Sequence, residues 1–355
     1  MKTMNIAVAV LLFASLISCK DSGTNPNQTI KTPREMTWTA DTLKSPDPTS
    51  IQLMMRNILV FSPSDVWICG WSDVARGLIW HYDGKQWSES NIGADVGGMR
   101  VDDIAGYSSN DLWAGGYSGN NIFLAHYNGY KWTRESDMNI RGELLDMSMD
   151  PNGNIWACGR NGVVLKYDKI KWTANTIKVN HYSDAEYFLQ SVAYYKDKMH
   201  LIGIVSDAKR MKNVYYYITG DMDSWAIADS IVSDSPSSKI KWGDWNLNST
   251  NFGKFYSVGL EGIWAYSPSG WNQVYKIDSS IYGVSGISEN YLLAVGDFQQ
   301  VLFFNGNTWE NFVNLFPQIN RNFVCMNVWT NGYETFIIGY GNVGGYLGTI
   351  IFHGE

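Results

Sequence analysis

Gly339-Tyr340-Gly341-Asn342-Val343-Gly344 has the spacing with which a glycine-rich turn brings backbone N–H groups up to a pyrophosphate. That chemistry needs a helix to start there, so that its N-terminus meets the phosphates. The chain instead continues Gly345-Tyr346-Leu347-Gly348-Thr349-Ile350-Ile351-Phe352, a strand pattern, and the run reads as a hairpin loop. Asp150-Pro151-Asn152-Gly153-Asn154 alternates oxygen ligands as a calcium loop does, but its twelfth position is Asn161, not the acid that would close the site. It reads as a turn, and Asp221 with Asp223 is a weaker version of the same idea. His81 and His126 share a repeat register on outer strands of neighbouring units, where they cannot converge on one ion. Tyr282-Gly283-Val284-Ser285-Gly286-Ile287 lacks the last glycine of a nucleophile elbow, and neither H-E-x-x-H nor a P-loop occurs. The cationic loop Lys209-Arg210-Met211-Lys212 reads as solvated. No catalytic residue, metal or cofactor is assigned.

A different chemistry is written at the start. Lys2 precedes an apolar run of twelve, Ile6 to Ile17, too short to span a bilayer as a helix. It ends in Leu16-Ile17-Ser18-Cys19, which resembles the bacterial lipobox. The resemblance implies a signal peptide over 1–18, a lipid on the Cys19 thiol and membrane attachment through it. Residues 19–33 then form the anchor and a polar tether, and 34–355 the folded domain. The remaining Cys69, Cys158 and Cys325 cannot all pair, and the first two fall at small core positions of the repeats. Net charge is −7 with only 17% charged residues and no basic stripe, which speaks against nucleic acid as a partner.

The elements that must position any site come from self-comparison. An aromatic or apolar residue three before a glycine recurs as Trp67/Gly70, Trp113/Gly116, Trp156/Gly159, His200/Gly203, Tyr256/Gly259, Leu293/Gly296 and Phe336/Gly339. Successive glycines lie 37 to 56 residues apart. A second signature, an aromatic five residues before a Trp across a turn, joins Tyr82 to Trp87, Tyr127 to Trp132, Tyr167 to Trp172, Tyr266 to Trp271 and Phe304 to Trp309. Such turns with flanking aromatics are tight β-hairpins. Unit four is looser, with Trp225 after Ile218-Thr219-Gly220. Each unit reads as four short strands at the period of propeller blades. Unit seven stops before its Trp strand, and Met36-Thr37-Trp38-Thr39 looks like the missing one. The expected fold is an all-β, seven-bladed β-propeller whose N-terminal strand completes the last blade, with Trp38, Trp87, Trp132, Trp172, Trp225, Trp271 and Trp309 as inter-blade core.

Over roughly residues 34 to 355 these repeats resemble bacterial β-propellers of the Asp-box and sialidase-like kind, including photosystem-assembly-factor-like propellers. They depart from the Asp-box in that Asp83 lies four residues before Trp87, and no Ser stands two before it. The resemblance implies that ligands meet the face where chains enter the innermost strands. Residues there include Arg56, Arg100, Asp102, Arg141, Asp244, Trp245 and Arg321; just past the repeat glycines come Trp71, Tyr117, Arg160, Asp297 and Tyr340, with Glu261 one further on. These slots differ in every unit, and variation on a regular frame is where specificity is built. The expected ligand-binding set is Arg56, Trp71, Asp102, Tyr117, Arg160, Trp245, Glu261, Asp297 and Tyr340. The expected function is non-catalytic: a lipid-anchored protein of the outer membrane or cell surface, binding a protein or a glycan at this face. One alternative is a glycan hydrolase or lyase at the central channel, with Asp102, Asp297 and Glu261 as its carboxylates. Another is an accessory or assembly factor of an envelope complex.

Overall fold

The computed structural model describes residues 29–74, 77–90, 92–135, 139–233, 240–312, 315–316 and 322–355. Two units separate by their contacts, Met1–Ile30 and Lys31–Glu355. The expected signal peptide over 1–18, Cys19 and most of the expected tether lie outside the described residues, as does Arg321.

The second unit is a β-propeller built from antiparallel meanders. The first sheet holds Leu53–Ser62, Asp65–Ser72, Gly77–Tyr82 and Trp87–Ser90 in sequence order, and the second Arg100–Ser108, Asp111–Ser118, Asn121–Tyr127 and Trp132–Arg134. The third runs from Leu144–Met149 to Trp172–Thr176 and the fourth from Glu186–Tyr195 to Trp225–Ser233. Val324–Thr330, Thr335–Val343 and Tyr346–Gly354 form the last sheet with Trp38–Leu43, which pairs antiparallel to Tyr346–Gly354 from Trp38↔Gly354 to Leu43↔Thr349.

The expectation of seven blades, the last of them completed by the N-terminal strand, is corrected: the described residues form six sheets, Trp38–Leu43 joins the last of them, and no seventh is separate among them. Units five and six are fused into one six-stranded sheet through Gly270–Ser288. Its first half pairs with Phe255–Ser267, and from Ile281 onward it pairs with Tyr291–Gly296. The reason is length. Only 37 residues separate Gly259 from Gly296, the shortest spacing in the chain, and Lys276-Ile277-Asp278-Ser279-Ser280 contains no Gly or Pro to break the strand.

The hairpin signature forms as its chemistry requires. Asp83, Asn128, Asp168 and Asn305 each accept backbone N–H bonds from the residues two and three positions after them. Gly84, Gly129 and Gly306 supply the positive φ. Directly cross-strand pairs such as Tyr127 and Trp132, with ring centroids 5.1 Å apart, close the hairpins. The Trp rings reach the preceding sheet: Trp172 packs edge-on against Trp113 at 5.2 Å and Trp225 against Trp156 at 6.2 Å. Trp38 meets Phe316 and donates its indole N–H to the Pro33 carbonyl. Cys69, Cys158 and Cys325 are buried and free, and burial raises each thiol out of the reactive range.

The repeat glycines have a steric cause. A Cβ on Gly70, Gly116, Gly159, Gly296 or Gly339 would overlap the backbone carbonyl of Met54, Arg100, Glu143, Ser280 or Val324 on the innermost strand beside it. Immediately after that carbonyl the innermost strand bulges.

Candidate functional site

The bulges build the channel. Register shifts fall between Met55 and Asn57, Val101 and Asp103, Leu144 and Asp146, Leu189 and Ser191, Ile281 and Gly283, and Cys325 and Asn327. A bulge sets two residues against one on the partner strand and re-aims their side chains. Two rings of residues result.

The first ring holds the bulged residues themselves, with Trp245 just ahead of the unbulged strand Asn246–Ser249 in the corresponding place of the fifth sheet. Arg56, Leu145, Gln190, Trp245, Tyr282 and Met326 surround a void of only about 30 Å³, so their side chains fill the channel at this level. Arg56, from the first sheet, lies over the Trp245 ring of the fifth at 5.2 Å. Trp245 in turn packs edge-on to Tyr282 at 5.1 Å. Tyr282 donates its hydroxyl to Asp297 Oδ1 at 3.2 Å, and burial raises the phenol to about 12. Tyr340 feels both Arg56 and Asp297, with burial raising it. Asp102 is the buried acid of the ring. Its Oδ1 takes Arg100 at 2.8 Å and Arg56 at 3.5 Å, whereas its Oδ2 is buried without a hydrogen-bond donor. Burial raises Asp102 and the two guanidiniums oppose that rise.

Arg100 carries this centre outward. Its guanidinium lies 4.4 Å from the Trp71 ring and 5.7 Å from that of Tyr117. The three line a cleft of about 420 Å³ between the first and second sheets, with Asp73, Met99 and Gly119 completing its walls. Thus Arg56, Trp71, Asp102, Tyr117, Trp245, Asp297 and Tyr340 gather around one mouth and its side cleft.

Two members of the expected set stand apart. Arg160 bonds Glu186 at 3.2 Å and lies over Phe188 at 4.7 Å, a strap between the third and fourth sheets. Glu261 is the odd residue of a bulge in Phe255–Ser267, at φ 66°, with Lys276 3.8 Å away. Asp244 accepts the Leu260 N–H, and Arg141 is exposed. Sequence reasoning missed Phe298, which is 57% exposed and sits at φ 57° in the turn after Asp297. The signal was there: the corresponding turn of the second repeat has Gly119, whereas this one has Phe298-Gln299.

The second ring is polar: Asn57, Asp103, Asp146, Ser191, Asn246 and Asn327, each twelve or thirteen residues before its repeat glycine. It ties sheet to sheet. Asp103 Oδ2 accepts the Met147 N–H at 2.6 Å, Asp146 Oδ2 accepts the Val192 N–H at 2.7 Å, and Ser191 Oγ accepts the Leu247 N–H at 3.1 Å. Asn327 donates to Asn57, and Asn57 to the Asp102 carbonyl. Asp103 and Asp146 also share a hydrogen bond; burial raises both carboxyls, and the Asp146 charge raises Asp103 further, whereas the bond from Asp103 works against the rise of Asp146. A channel cavity of about 600 Å³ continues from this ring toward Asp150, Ser249 and Trp329.

This geometry bears on chemistry. Asp102 is paired to arginines, Asp297 to Tyr282 and the Ser280 N–H, and Glu261 to Lys276. Those three do not form an acid–base pair. Asp103 and Asp146 do lie together, but backbone N–H groups hold their oxygens. A third cluster, Glu334, His353 and Glu355, puts its potential ligand atoms within 4.8 Å of one another. Its core repeats elsewhere as frame: His353 bonds Glu334 over Phe336, as His81 bonds Asp65 over Trp67 and His126 bonds Asp111 over Trp113.

No protein-family model and no curated protein matches this chain. Similar solved structures include YCF48 bound to D1 peptide, at 14% identity and TM-score 0.58 over 92% of this chain and 96% of that one. The extracellular domain of the hybrid two-component system BT4673 from B. thetaiotaomicron matches at 15% identity and TM-score 0.60, over 88% of this chain and 40% of that one. PorZ, a surface component of the type-IX secretion system of Porphyromonas gingivalis, matches at 14% identity and TM-score 0.55, over 83% and 46%. At these identities the likeness is one of fold, a β-propeller. It lends no support to the sialidase-like, Asp-box part of the resemblance.

Proposed function

We propose that the chain is a non-catalytic binding propeller of the cell envelope that grips a protein segment at the mouth and cleft described above. The observation that carries this reading is Arg100 lying over both Trp71 and Tyr117 beside a mouth filled by Arg56, Trp245 and Tyr282. Tyr, Trp and Arg in partly desolvated pockets are the residues that dominate protein-recognition energetics. Leu260 and Phe298, 43% and 57% exposed, add apolar surface that a glycan would not need. The peptide-bound YCF48 structure and the surface role of PorZ fit the same reading. A hydrolase or lyase reading finds no free pair among Asp102, Asp297 and Glu261, and an assembly role is a special case of protein binding.

The anchor is part of the proposal. Cys19 carries the lipid, so Cys19→Ala moves the protein from the membrane pellet to the soluble fraction. Retention of that variant in the pellet would remove the anchor from this account.

For the face, a photo-crosslinking residue at Tyr117 in the full-length chain captures one discrete protein in intact cells. The same residue at Tyr130, 93% exposed in a hairpin turn, does not. Trp71→Ala weakens that interaction by about 2 kcal/mol, near thirtyfold. Equal capture from both positions, or a glycan-array signal abolished by Trp71→Ala with no protein captured, refutes the protein reading.

A further inference from the structure

The fourth repeat breaks the pattern in a way the mouth does not use. It is the longest, with 56 residues between Gly203 and Gly259. Its outermost strand, Trp225–Ser233, has nine residues, whereas those of the first three sheets have three to five. Between this strand and the hairpin joining Phe255–Ser267 to Gly270–Ser288 lies a cleft of about 580 Å³, a size that takes small ligands.

Its walls are aromatic. Tyr217, Trp242, Trp264, Tyr266 and Trp271 line it, with Tyr217 to Trp242 at 5.9 Å and Tyr266 to Trp271 at 5.0 Å between ring centroids. Trp242 is 1% exposed, yet its indole N–H has no acceptor, and neither does that of Trp271. An unpaired buried donor is costly, so an acceptor arriving there is stabilised. Trp242 belongs to none of the repeated Trp positions, and its ring packs in the core with Tyr217, Leu247 and Phe255.

The wall behind is held still. His200 donates Nε2–H to the Tyr195 carbonyl at 3.0 Å, leaving Nδ1 to accept the Tyr217 hydroxyl. Burial lowers His200 to about 4, so this arrangement persists at neutral pH. Tyr217 is also hydrogen-bonded to Tyr266, which fixes both rings. At the rim Lys241 and Asp229 neutralise each other at 2.8 Å, and Ser269 and Gln273 offer neutral polar groups.

The half-buried rings of Tyr266 and Trp271, unpaired N–H donors behind them and a rim without net charge match a ligand with an apolar C–H face and hydroxyl acceptors. We propose that this cleft binds a neutral pyranose unit of a glycan, independently of the protein segment proposed at the mouth. A purely apolar occupant would leave the indole donors unpaired, and a charged one would meet no counter-charge.

Saturation-transfer NMR on the full-length chain tests this with methyl β-glucopyranoside, methyl β-galactopyranoside and N-acetylglucosamine as probes, and cyclohexanol as the apolar control. Transfer to the ring protons of at least one sugar is expected. Ala228→Trp, an added indole on an exposed strand residue lining the cleft, weakens binding about tenfold or more. Trp242→Phe keeps the ring, removes the donor and weakens binding about fivefold. Trp71→Ala leaves it unchanged. Silence from all three sugars overturns the proposal, as does transfer to cyclohexanol alone. So does sugar binding that survives Ala228→Trp but is lost with Trp71→Ala.

Discussion

Gly159→Ala is expected to yield little or no folded protein. Gly159 pairs with Leu144 at the end of Ile155–Gly159, and an added Cβ would occupy the space of the Glu143 carbonyl oxygen. That atom belongs to backbone, so relief requires moving the innermost strand itself. The same strand carries the bulge at Leu145 and the ring carboxylate Asp146, so a shift propagates into the channel. Replacing glycine by alanine normally helps by about 0.4–1 kcal/mol through the unfolded chain. Here the clash exceeds that gain, and a loss of about 4 kcal/mol or more is expected. Gly93→Ala is the control: it lies in the short helix Ile92–Val96, and its Cβ would meet nothing within 4 Å. That substitution should be neutral or gain up to about 1 kcal/mol. Soluble yield and thermal unfolding by circular dichroism decide the matter, and a Gly159→Ala melt within about 2 °C of the parent would refute the steric account.

The second large effect is expected at Asp103. Its two oxygens accept the N–H groups of Ile104 at 2.7 Å and Met147 at 2.6 Å, the latter on the next sheet. Asp103→Ala leaves both donors without a partner, at about 1–3 kcal/mol each. Asp103→Asn retains one acceptor and removes the charge, so its loss at neutral pH is smaller. The pH dependence separates charge from shape. Burial and Asp146 raise the Asp103 carboxyl well above its ordinary value, so the folded state holds a proton that the unfolded chain releases. Stability from such a group is complete below the unfolded pKa and is lost as pH rises through the folded one. The advantage of the parent over Asp103→Asn should therefore shrink as pH rises from 5 to about 8. His200, held neutral by burial, works in the opposite direction below its ordinary value, but it is common to both proteins and cancels. Urea unfolding across that range measures the difference. An advantage that stays flat or grows with pH would show that the two carboxyls do not share a proton.

Much of the frame was legible in the residues. The aromatic-x-x-Gly and aromatic-to-Trp spacings located most strands, because each marks a constraint local in sequence: a hairpin turn, a cross-strand ring pair, a glycine opposite a bulge. Seven of the nine expected binding residues converge because they follow from two registers that lie side by side, one entering the innermost strand and one just past the repeat glycine. Arg160, in the second of these registers, and Glu261, one residue beyond it, stand apart, since Glu143 and Glu186 draw one toward a neighbouring sheet and a local bulge turns the other aside. The fusion of units five and six escapes the repeat signature, which marks each unit by its glycine and shows a missing connector only as a short spacing.

The order of strands, the turns, the core aromatics and the positions open to variation were determined by the sequence itself, because backbone geometry and side-chain period act over a few residues. Which side chains meet was decided by the tertiary structure alone. Arg56 reaches Trp245 across the channel, Asp103 meets Asp146, and Trp242 lines a cleft beside Tyr217 only because the sheets pack in a ring. Contacts between residues far apart in the chain, such as Arg56 and Trp245 at 189 positions, depend on how each sheet sits against the next, and no local spacing records that.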